Sequence, residues 1–344
     1  MEHNITAAIP VTKNNAELDV DKIMDMVQVA LYGIIFILGT VGNGIVIWIT
    51  GFQMQKTVNS IWFLNLAVAD FIFSLARIIP LIKNAFYTYW PFGQFLCKVN
   101  SFIKYLNMFC SVFLLAVISF DRCASVVFPV WSKNQRTIRF ASISSIVVWV
   151  LSVIMSSPFY VFRNIVMNSS NKSKCTLSLS LSASVDRDDK ERNKQTVYFI
   201  RFFCGFLIPF IVIATCYAII AIKVRSRRFI SSNKTYKIIF AIIVTFFLCW
   251  MPYHVFLLLK YYNYKGMFMD IGSPLTSCIA YLNSCMNPIL YFFMGIDFQN
   301  RLRHSAFSVL RKTFQEEETQ LNTSSRQKNS TAYEADFMSY EQKL

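Results

Sequence analysis

Charged and amide side chains lie inside long apolar stretches of this sequence. Burying such groups costs free energy, so their presence there indicates a chemical role. A charge at the centre of a membrane-spanning helix costs about 2.5–3.5 kcal/mol on insertion scales. Asp70 lies in one such stretch. A second stretch carries four polar residues at steps of 3, 4 and 11: Lys104, Asn107, Ser111 and Arg122. At about 100° per residue, these steps keep all four side chains on one stripe of a helix.

The neutral polar residues that accompany Asp70 favour a site for a small cation. A further stretch adds Asn283, Ser284 and Asn287. A carboxylate that faces several amides and hydroxyls resembles a site for a cation that prefers hard oxygen ligands. A structural hydrogen-bond network between helices explains the spacing equally well. Both interpretations stay open on the spacing alone.

Three cations lie towards the other ends of their stretches: Arg77, Lys104 and Arg201. Arg77 follows Asp70 by seven residues, which places it about 10 Å further along a helix. We expect no acidic residue in the outer half of any spanning stretch. Cations that converge on one cavity favour an anionic ligand group, such as a peptide carboxylate or a fatty acid. The alternative for each is a side chain that snorkels to the lipid headgroups.

The composition identifies a membrane-embedded chain. Its 344 residues are 55% hydrophobic and 15% charged, whereas soluble domains carry about 25% charged residues. Nine Cys without a CxxC pair, and three His, offer no zinc or haem spacing. Residues 1–25 lack the basic start and apolar core of a signal peptide. A soluble nucleic-acid-binding protein is excluded despite the net charge of +15.

Seven apolar stretches are long enough to cross a bilayer, which takes about 20 residues each. They are 26–51, 59–82, 98–120, 139–162, 197–222, 238–260 and 271–294. Lys and Arg are concentrated in the loops on one side and after the last stretch, whereas residues 1–25 hold five acidic residues and two lysines. Because positive loops stay in the cytosol, we expect an extracellular N-terminus and a multi-pass protein of the plasma membrane.

Two features are expected on the outer surface. Cys97 heads the third stretch and Cys175 is the single Cys of the outer loop 163–196, so an oxidising exterior favours a disulfide between them. Three sequons on this side are candidate glycosylation sites: Asn4, Asn168 and Asn171.

An enzyme, a transporter and a photoreceptor are poor interpretations of these stretches. Intramembrane hydrolysis needs paired carboxylates or metal ligands, but Asp70 and Asp121 lie about 50 residues apart and are accompanied by one histidine, His254. The stretches show no repeated halves of the kind found in transporters. The last stretch, 271–294, contains no Lys that could hold retinal.

Short motifs, one for each stretch and in order, resemble those of the rhodopsin-like (class A) G-protein-coupled receptors. They read Gly42-Asn43, Leu66-Ala-Val-Ala-Asp70, Asp121-Arg122-Cys123, Trp149, Pro209 with Tyr217, Cys249-Trp250-Met251-Pro252 and Asn287-Pro288-Ile-Leu-Tyr291. The resemblance covers about residues 26–310. Within the family the chain is similar to the chemoattractant branch, most of all to chemerin receptors and next to formyl-peptide receptors. The segments that carry this are Phe128-Pro-Val-Trp-Ser132, Arg201-Phe-Phe-Cys-Gly-Phe206 and Asn283-Ser-Cys-Met-Asn-Pro288.

The resemblance implies an all-α membrane protein, a bundle of seven transmembrane helices over 26–294. An extracellular tail, 1–25, would precede the bundle. A short cytosolic amphipathic helix, helix 8, would cover 295–310 and lie on the membrane lipid, and a disordered Ser/Thr-rich tail would cover 311–344.

The resemblance also implies roles for matched residues. An allosteric sodium ion, the one cofactor implied, would bind at Asp70, Asn107, Ser111 and Asn283. The ligand pocket expected from the converging cations and the resemblance together comprises Arg77, Lys104, Tyr105, Arg201, Trp250 and Tyr281. The activation switch would comprise Asp121, Arg122, Tyr217, Trp250, Pro252, Asn287, Pro288 and Tyr291, with Asp121 restraining Arg122 in the resting state.

The function that the resemblance implies is a receptor for a chemerin-like chemoattractant peptide. It would couple to inhibitory G proteins and, through a phosphorylated tail, to arrestin; no catalysis and no nucleic-acid partner are implied. The alternatives are a receptor for another anionic ligand, either a formyl peptide or a lipid mediator, and a scavenger that binds ligand without signalling.

Two departures from the family patterns bear on the ligand. Tyr105 and Val197 stand where formyl-peptide receptors carry an Asp and an Arg, which weighs against formyl-peptide sensing. Pro80 lies ten residues after Asp70, two further than in the chemerin-receptor pattern, and Arg77 is not part of that pattern. The wall that the second stretch contributes to the pocket therefore differs from that of chemerin receptors.

Overall fold

The structure is a computed structural model, and it describes residues 15–167, 171–178, 187–226 and 234–294. Helices and π-helical segments occupy nearly all of them: α1 (Asn15–Ile34), Ile35–Gly39 (π), α2 (Thr40–Trp48), Ile49–Gln53 (π), α3 (Val58–Ala76), α4 (Ile78–Phe86), α5 (Gly93–Val127), α6 (Pro129–Gln135), α7 (Ile138–Val161), α8 (Arg187–Phe199), Ile200–Leu207 (π), α9 (Ile208–Ser226), α10 (Lys234–Tyr261) and α11 (Met267–Met294). The expected helix 8, the expected Ser/Thr-rich tail, Asn4 and Asn168 lie outside these ranges.

These helices form seven spans. The first comprises α1, α2 and their π-helical segments, the second α3 and α4, the third α5, the fourth α7, the fifth α8, Ile200–Leu207 and α9, and the sixth α10. Six runs of helix in the described chain are long and apolar enough to cross a membrane. The seventh span, α11, has 28 residues and packs along α10, and its length of about 42 Å exceeds the bilayer core. The prediction of an all-α chain with all seven stretches in helices is confirmed.

Several helices extend beyond the apolar stretches that predicted them. The first span begins at Asn15, inside the expected tail, and the fifth begins at Arg187, inside the expected outer loop. The second extension carries several good helix formers, Arg187, Lys190, Glu191, Arg192 and Lys194, and the first carries Ala16, Glu17 and Lys22. Lys194 also donates to Glu191 one turn earlier, at 3.3 Å. Apolarity therefore predicted correctly which stretches are helical, but not where the helices end.

The second span is interrupted at Arg77, the residue that separates α3 from α4. Pro80 lies in the first turn of α4, where its missing N–H costs no helical hydrogen bond. The interruption therefore places the Arg77 side chain at the joint between two helices rather than within a continuous one.

An antiparallel hairpin covers the bundle at the end predicted to face outside, here called the outer end. Its strands are β1 (Arg163–Met167) and β2 (Ser173–Leu177), with Ile165 opposite Cys175. The expected disulfide is confirmed, because Cys97 at the start of α5 is bonded to Cys175 in β2. Asn171 lies at the hairpin turn with φ of 54°, a conformation that Asn tolerates, and its side chain is exposed.

The third span lies at the centre of the bundle. In its most apolar window 61% of the residues are buried inside the protein, compared with 22% for α7. The stripe predicted from spacing faces this interior: Asn107, Ser111 and Arg122 are all buried. The apolar residues that α7 exposes are those that a helix at the periphery of a membrane bundle turns to lipid.

We expect the hairpin to depend on its disulfide. Replacing Cys97 and Cys175 together by Ser should lower the free energy of unfolding by about 2–5 kcal/mol, because the bond closes a long loop in the unfolded chain. Thermal unfolding of the detergent-purified protein measures this change. The free, half-buried Cys249 is the matched control, and Cys249→Ser should change the Tm little. An equal Tm for the double variant and the wild type would contradict the expectation.

Candidate functional site

Two cavities open at the outer end, between the helices and the hairpin. The larger has a volume of about 590 Å³ and the smaller about 310 Å³. Lys104, Tyr105 and Arg163 line both cavities. A ligand that enters from the outer end therefore meets two compartments that share the Lys104 ammonium group.

The smaller cavity is cationic. Five of its lining residues are basic: Lys104, Arg163, Lys194, Arg201 and Lys260. No Asp or Glu lines it among the residues that the structure describes. Like charges gathered in a space of low dielectric repel one another, so an anion that enters this cavity relieves that repulsion.

Arg201 forms the deep wall of the smaller cavity. It lies in the π-helical segment Ile200–Leu207 and its side chain is buried. Its Nη1 donates to the Tyr253 hydroxyl at 3.3 Å, and its guanidinium carbon lies 4.7 Å from the centre of the Tyr105 ring. No carboxylate within the described part of the chain pairs with Arg201. The buried charge is therefore stabilised by aromatic rings and a hydroxyl, and no negative charge of the described residues neutralises it.

Lys104 lies in a cage of three tyrosine rings. Its Nζ lies 5.2 Å from the ring centres of Tyr105 and Tyr253 and 5.1 Å from that of Tyr281. Aromatic faces attract an ammonium group at this range. The cage fixes the ammonium at the boundary of the two cavities.

Arg77 points into the larger cavity rather than to the headgroups. Its side chain is 2% exposed, and Nη2 donates to Asn100 Oδ1 at 3.0 Å. The guanidinium also lies over Phe73, at 4.3 Å, and over Tyr281, at 5.2 Å. The expectation of one cavity for all three cations needs correction, because Arg77 lines the larger cavity, Arg201 the smaller, and Lys104 both.

The larger cavity also contains acidic residues that we did not expect. Asp25 and Asp270 line it, and each lies one residue outside the apolar stretches 26–51 and 271–294, for which the absence of outer acidic residues was expected. The reason is that α1 and α11 continue beyond the apolar stretches and carry Asp25 and Asp270 with them. The charge of the larger cavity is therefore mixed, and the smaller cavity is the better anion site.

Arg163 is a cavity residue that sequence reasoning missed. It lies outside the spans, at the start of β1, and no periodicity marks it. Its Nε donates to Cys175 Sγ at 3.3 Å and its Nη2 to the Cys175 carbonyl at 3.2 Å. Burial lowers the pKa of Arg163 from its ordinary value, but arginine stays protonated in proteins. The disulfide thus holds the Arg163 charge over both cavities.

Trp250 lies below the smaller cavity and lines neither compartment. Its ring is buried and packs edge-on against Tyr253, with ring centres 5.5 Å apart. We expected Trp250 to contact the ligand directly, and in this structure the contact passes through Tyr253, which lines the smaller cavity. Tyr105 and Tyr281, in contrast, line cavities as expected.

Asp70 lies in the middle of the bundle and is fully buried. It accepts hydrogen bonds from Asn107 Nδ2 at 2.8 Å and from Asn287 Nδ2 at 2.6 Å. Ser284 Oγ donates to Asn107 Oδ1 at 3.4 Å, and Asn43 Nδ2 donates to the Ser284 carbonyl at 2.8 Å. No cationic side chain of the described residues pairs with Asp70. The carboxylate therefore joins the second, third and seventh spans through neutral donors.

The remaining members of the expected cation site do not bond to Asp70 here. Ser111 Oγ and Asn283 Oδ1 are buried without a hydrogen-bond partner. Asn287, which was expected in the activation switch, supplies the second donor to the carboxylate. No group of three or more His, Cys, Asp or Glu suitable for a metal occurs among the residues described. A cation site here would thus be built from one carboxylate, amides and hydroxyls.

An inner cluster surrounds Asp121 at the opposite end of α5. Arg136, which caps α6, donates through Nε to both carboxylate oxygens, at 2.9 and 3.1 Å. Arg122 Nη2 lies 3.4 Å from Asp121 Oδ2. Arg122 and Arg136 both donate to Asn59 Oδ1, Arg136 at 2.7 Å. Sequence reasoning missed Asn59 and treated Arg136 as one of many basic loop residues, since no spacing on α5 points to either.

The remaining residues of the expected switch belong to the fifth, sixth and seventh spans. The half-buried Tyr217 packs against Phe240, with ring centres 5.6 Å apart. Pro252 and Pro288 lie inside α10 and α11. Tyr291 belongs to α11, and its side chain lies outside what the structure describes.

Comparison with known proteins places these sites in context. The family model for the seven-transmembrane receptors of the rhodopsin family matches residues 42–291. The chain is 44% identical to Chemerin-like receptor 1 of Rattus norvegicus over 300 residues, which is 84% of this chain and 80% of that one. It is 40% identical to the C3a anaphylatoxin chemotactic receptor of Danio rerio, over 88% of this chain and 81% of that receptor. It is 37% identical to Formyl peptide receptor-related sequence 1 of Mus musculus, over 87% and 88% of the two chains.

We expect Asn287 to stabilise the Asp70 carboxylate. Asn287→Ala should lower the free energy of unfolding by about 2 kcal/mol, since a hydrogen bond to a charged group contributes about 1.5–3 kcal/mol. In an Asp70→Asn background the same change should cost clearly less, because no charge is left unsatisfied. Thermal unfolding of the four proteins checks this. Equal losses in the two backgrounds would show that Asn287 acts through some other contact.

Proposed function

The chain belongs to the seven-transmembrane receptors of the rhodopsin family, and from that premise we propose that it is a receptor for a chemoattractant peptide with a free carboxylate. The observation that carries this proposal is the smaller cavity, which gathers five cations and no acid among the described residues. Its walls come from α5, the hairpin strands β1 and β2, the fifth span, α10 and α11, so a bound anion contacts several elements that could move relative to one another. The relatives named above include receptors for chemerin, C3a and formyl peptides, and a chemerin-like peptide is the ligand that we propose.

The carboxylate would bind between Arg201 and Lys104. The Arg201 fork suits a carboxylate because it can donate two parallel hydrogen bonds. Tyr253 now accepts one of these donors, at 3.3 Å, so the ligand would replace the phenol as the partner of Arg201. Displacing Tyr253 would change the packing of its ring against the Trp250 ring. This sequence of contacts links the charge of the ligand to the core of the sixth span.

We infer that signalling uses the inner end of the bundle. A ligand that binds one arrangement of the helices better shifts the population towards that arrangement. In the other arrangement Arg122 would leave Asp121 and Asn59 and open a pocket for an inhibitory G protein, with Tyr217 and Tyr291 as its new neighbours. Arrestin would bind afterwards through the phosphorylated tail. The receptor would sit in the plasma membrane with its N-terminus outside.

The test is inhibition of forskolin-raised cAMP in transfected cells by a synthetic peptide from the C-terminus of chemerin. The free-acid peptide should act at a concentration about 10- to 100-fold lower than the C-terminally amidated peptide, because a charge-assisted pair contributes about 1.5–3 kcal/mol. Arg201→Ala should remove that difference between the two peptides. Lys98→Ala is the control, because Lys98 lies at the outer end of α5 but lines neither cavity.

Other outcomes of this test identify the alternatives. Equal potency of acid and amide in the wild type would overturn the assignment of the carboxylate. A receptor that reaches the cell surface and stays silent would overturn the peptide assignment, and formyl peptides and lipid mediators would then be compared. Uptake of the peptide without guanine-nucleotide exchange would identify a scavenger.

We also propose that sodium binds beside Asp70 and stabilises the resting arrangement. The residues fit, since the carboxylate has no cationic partner in the described chain and the buried Ser111 Oγ and Asn283 Oδ1 lack hydrogen-bond partners. The bound ion would supply a positive charge to the carboxylate, and Asn107 would hold that carboxylate in place.

This proposal predicts a specific salt effect. The Tm of the purified receptor should rise when sodium chloride replaces choline chloride at equal ionic strength, because an ion that binds the folded state stabilises it. In Asp70→Asn the Tm should be the same in both salts. Lithium and potassium series measure the selectivity. An equal response of wild type and variant would mean that sodium acts elsewhere.

A further inference from the structure

The inner cluster contains two arginines and one carboxylate, so the arginines compete for it. Arg136 Nε lies 2.9 and 3.1 Å from the two oxygens of Asp121, whereas Arg122 lies 3.4 Å from one of them. Shorter distances between charged partners accompany stronger hydrogen bonds. The carboxylate of Asp121 is therefore engaged mainly by Arg136, although Arg122 is its neighbour in sequence.

Asn59 is shared in the same way. Its Oδ1 accepts from Arg136 Nη2 at 2.7 Å and also from Arg122 Nη2. Two guanidinium groups on one oxygen repel each other, and the partial burial of the cluster strengthens that repulsion. If either arginine were removed, the Asp121 carboxylate and the Asn59 oxygen would both be available to the remaining arginine.

We propose that Arg136 is a positioning residue that weakens the hold of Asp121 and Asn59 on Arg122. The inference rests on the proposed function, in which release of Arg122 accompanies activation. Arg136 is well placed for such a role. It caps α6, its backbone N–H donates to the Ser132 carbonyl at 3.0 Å, and its side chain is 24% exposed. The position of α6 therefore determines how much of the carboxylate remains for Arg122.

The variant Arg136→Gln tests the sign of this effect. Without Arg136, Asp121 and Asn59 would both bond Arg122 and hold it more firmly. Ligand-independent guanine-nucleotide exchange should therefore fall about fivefold, which is the lower end of common coupling factors between sites. The peptide concentration for half-maximal response should rise by a similar factor. Lys133→Gln removes the same charge from an exposed position on α6 and should change neither quantity.

Opposite and neutral results are both decisive. If Arg136 merely ties α6 to the bundle, its loss would loosen Asp121 and raise ligand-independent exchange. An increase, or equality with Lys133→Gln, overturns the proposal. Arg136→Lys should restore part of the wild-type behaviour, because an ammonium can still donate to Asp121 but does not reproduce the fork.

A second measurement needs neither ligand nor G protein. Thermal unfolding is compared for the wild type, Arg122→Gln, Arg136→Gln and the double variant in detergent. Competition predicts that Arg122→Gln lowers the Tm more in the Arg136→Gln background, where Arg122 holds both acceptors, than in the wild type. Equal losses in the two backgrounds overturn the competition. A receptor that never signals would sink the proposed function, whereas this cycle alone would still decide the role of Arg136.

Discussion

The cost of removing a charge from water organises this bundle, because each buried ion must find partners inside an apolar body. Asp70 finds two amides, Asp121 finds two guanidinium groups, and Lys104 finds three aromatic rings. These three sites differ in which charge or hydrogen-bonding group is left without a full partner. The cationic cavity is short of negative charge, the Asp70 site is short of positive charge, and the inner cluster has more donors than its carboxylate can fully satisfy. Each shortage marks a place where a partner from outside the chain, or a change in the bundle, alters the energy.

The third span connects these places because one helix passes through all of them. It carries Lys104 at the cavities, Asn107 beside Asp70, and Asp121 with Arg122 at the inner end, and it is more buried than the first, second, fourth, fifth and sixth spans. A well-packed central helix transmits a displacement rather than absorbing it. The side chains around it are the ones that rearrange: Tyr253 against Trp250 near the outer end, and Arg136 against Arg122 at the inner end.

Much of this arrangement could be predicted from the sequence. The features that could not be predicted have identifiable physical reasons. The number of spans, the disulfide and the polar stripe of α5 follow from apolar length, compartment and helical periodicity, which are local properties. The ends of α1 and α8 do not, because helix propensity continues where apolarity stops. Arg163, Lys260 and Arg136 were missed because their importance depends on which elements meet in space: a strand covering a cavity, the outer end of α10, and a loop helix that reaches back to Asp121. Asn287 was among the polar residues expected beside Asp70, but which of Asn283, Ser284 and Asn287 bonds the carboxylate depends on how α11 is rotated against α3.

The position of Lys104 on the wall common to both cavities has a pharmacological consequence. A compact anion that fills the smaller compartment, and a peptide that extends through the larger one with its carboxylate between Arg201 and Lys104, would each use the same ammonium group. The two are then mutually exclusive even where the rest of their contacts do not overlap. Antagonists directed at the smaller compartment should accordingly be surmountable, displacing peptide dose–response curves to the right in parallel without lowering the maximal response.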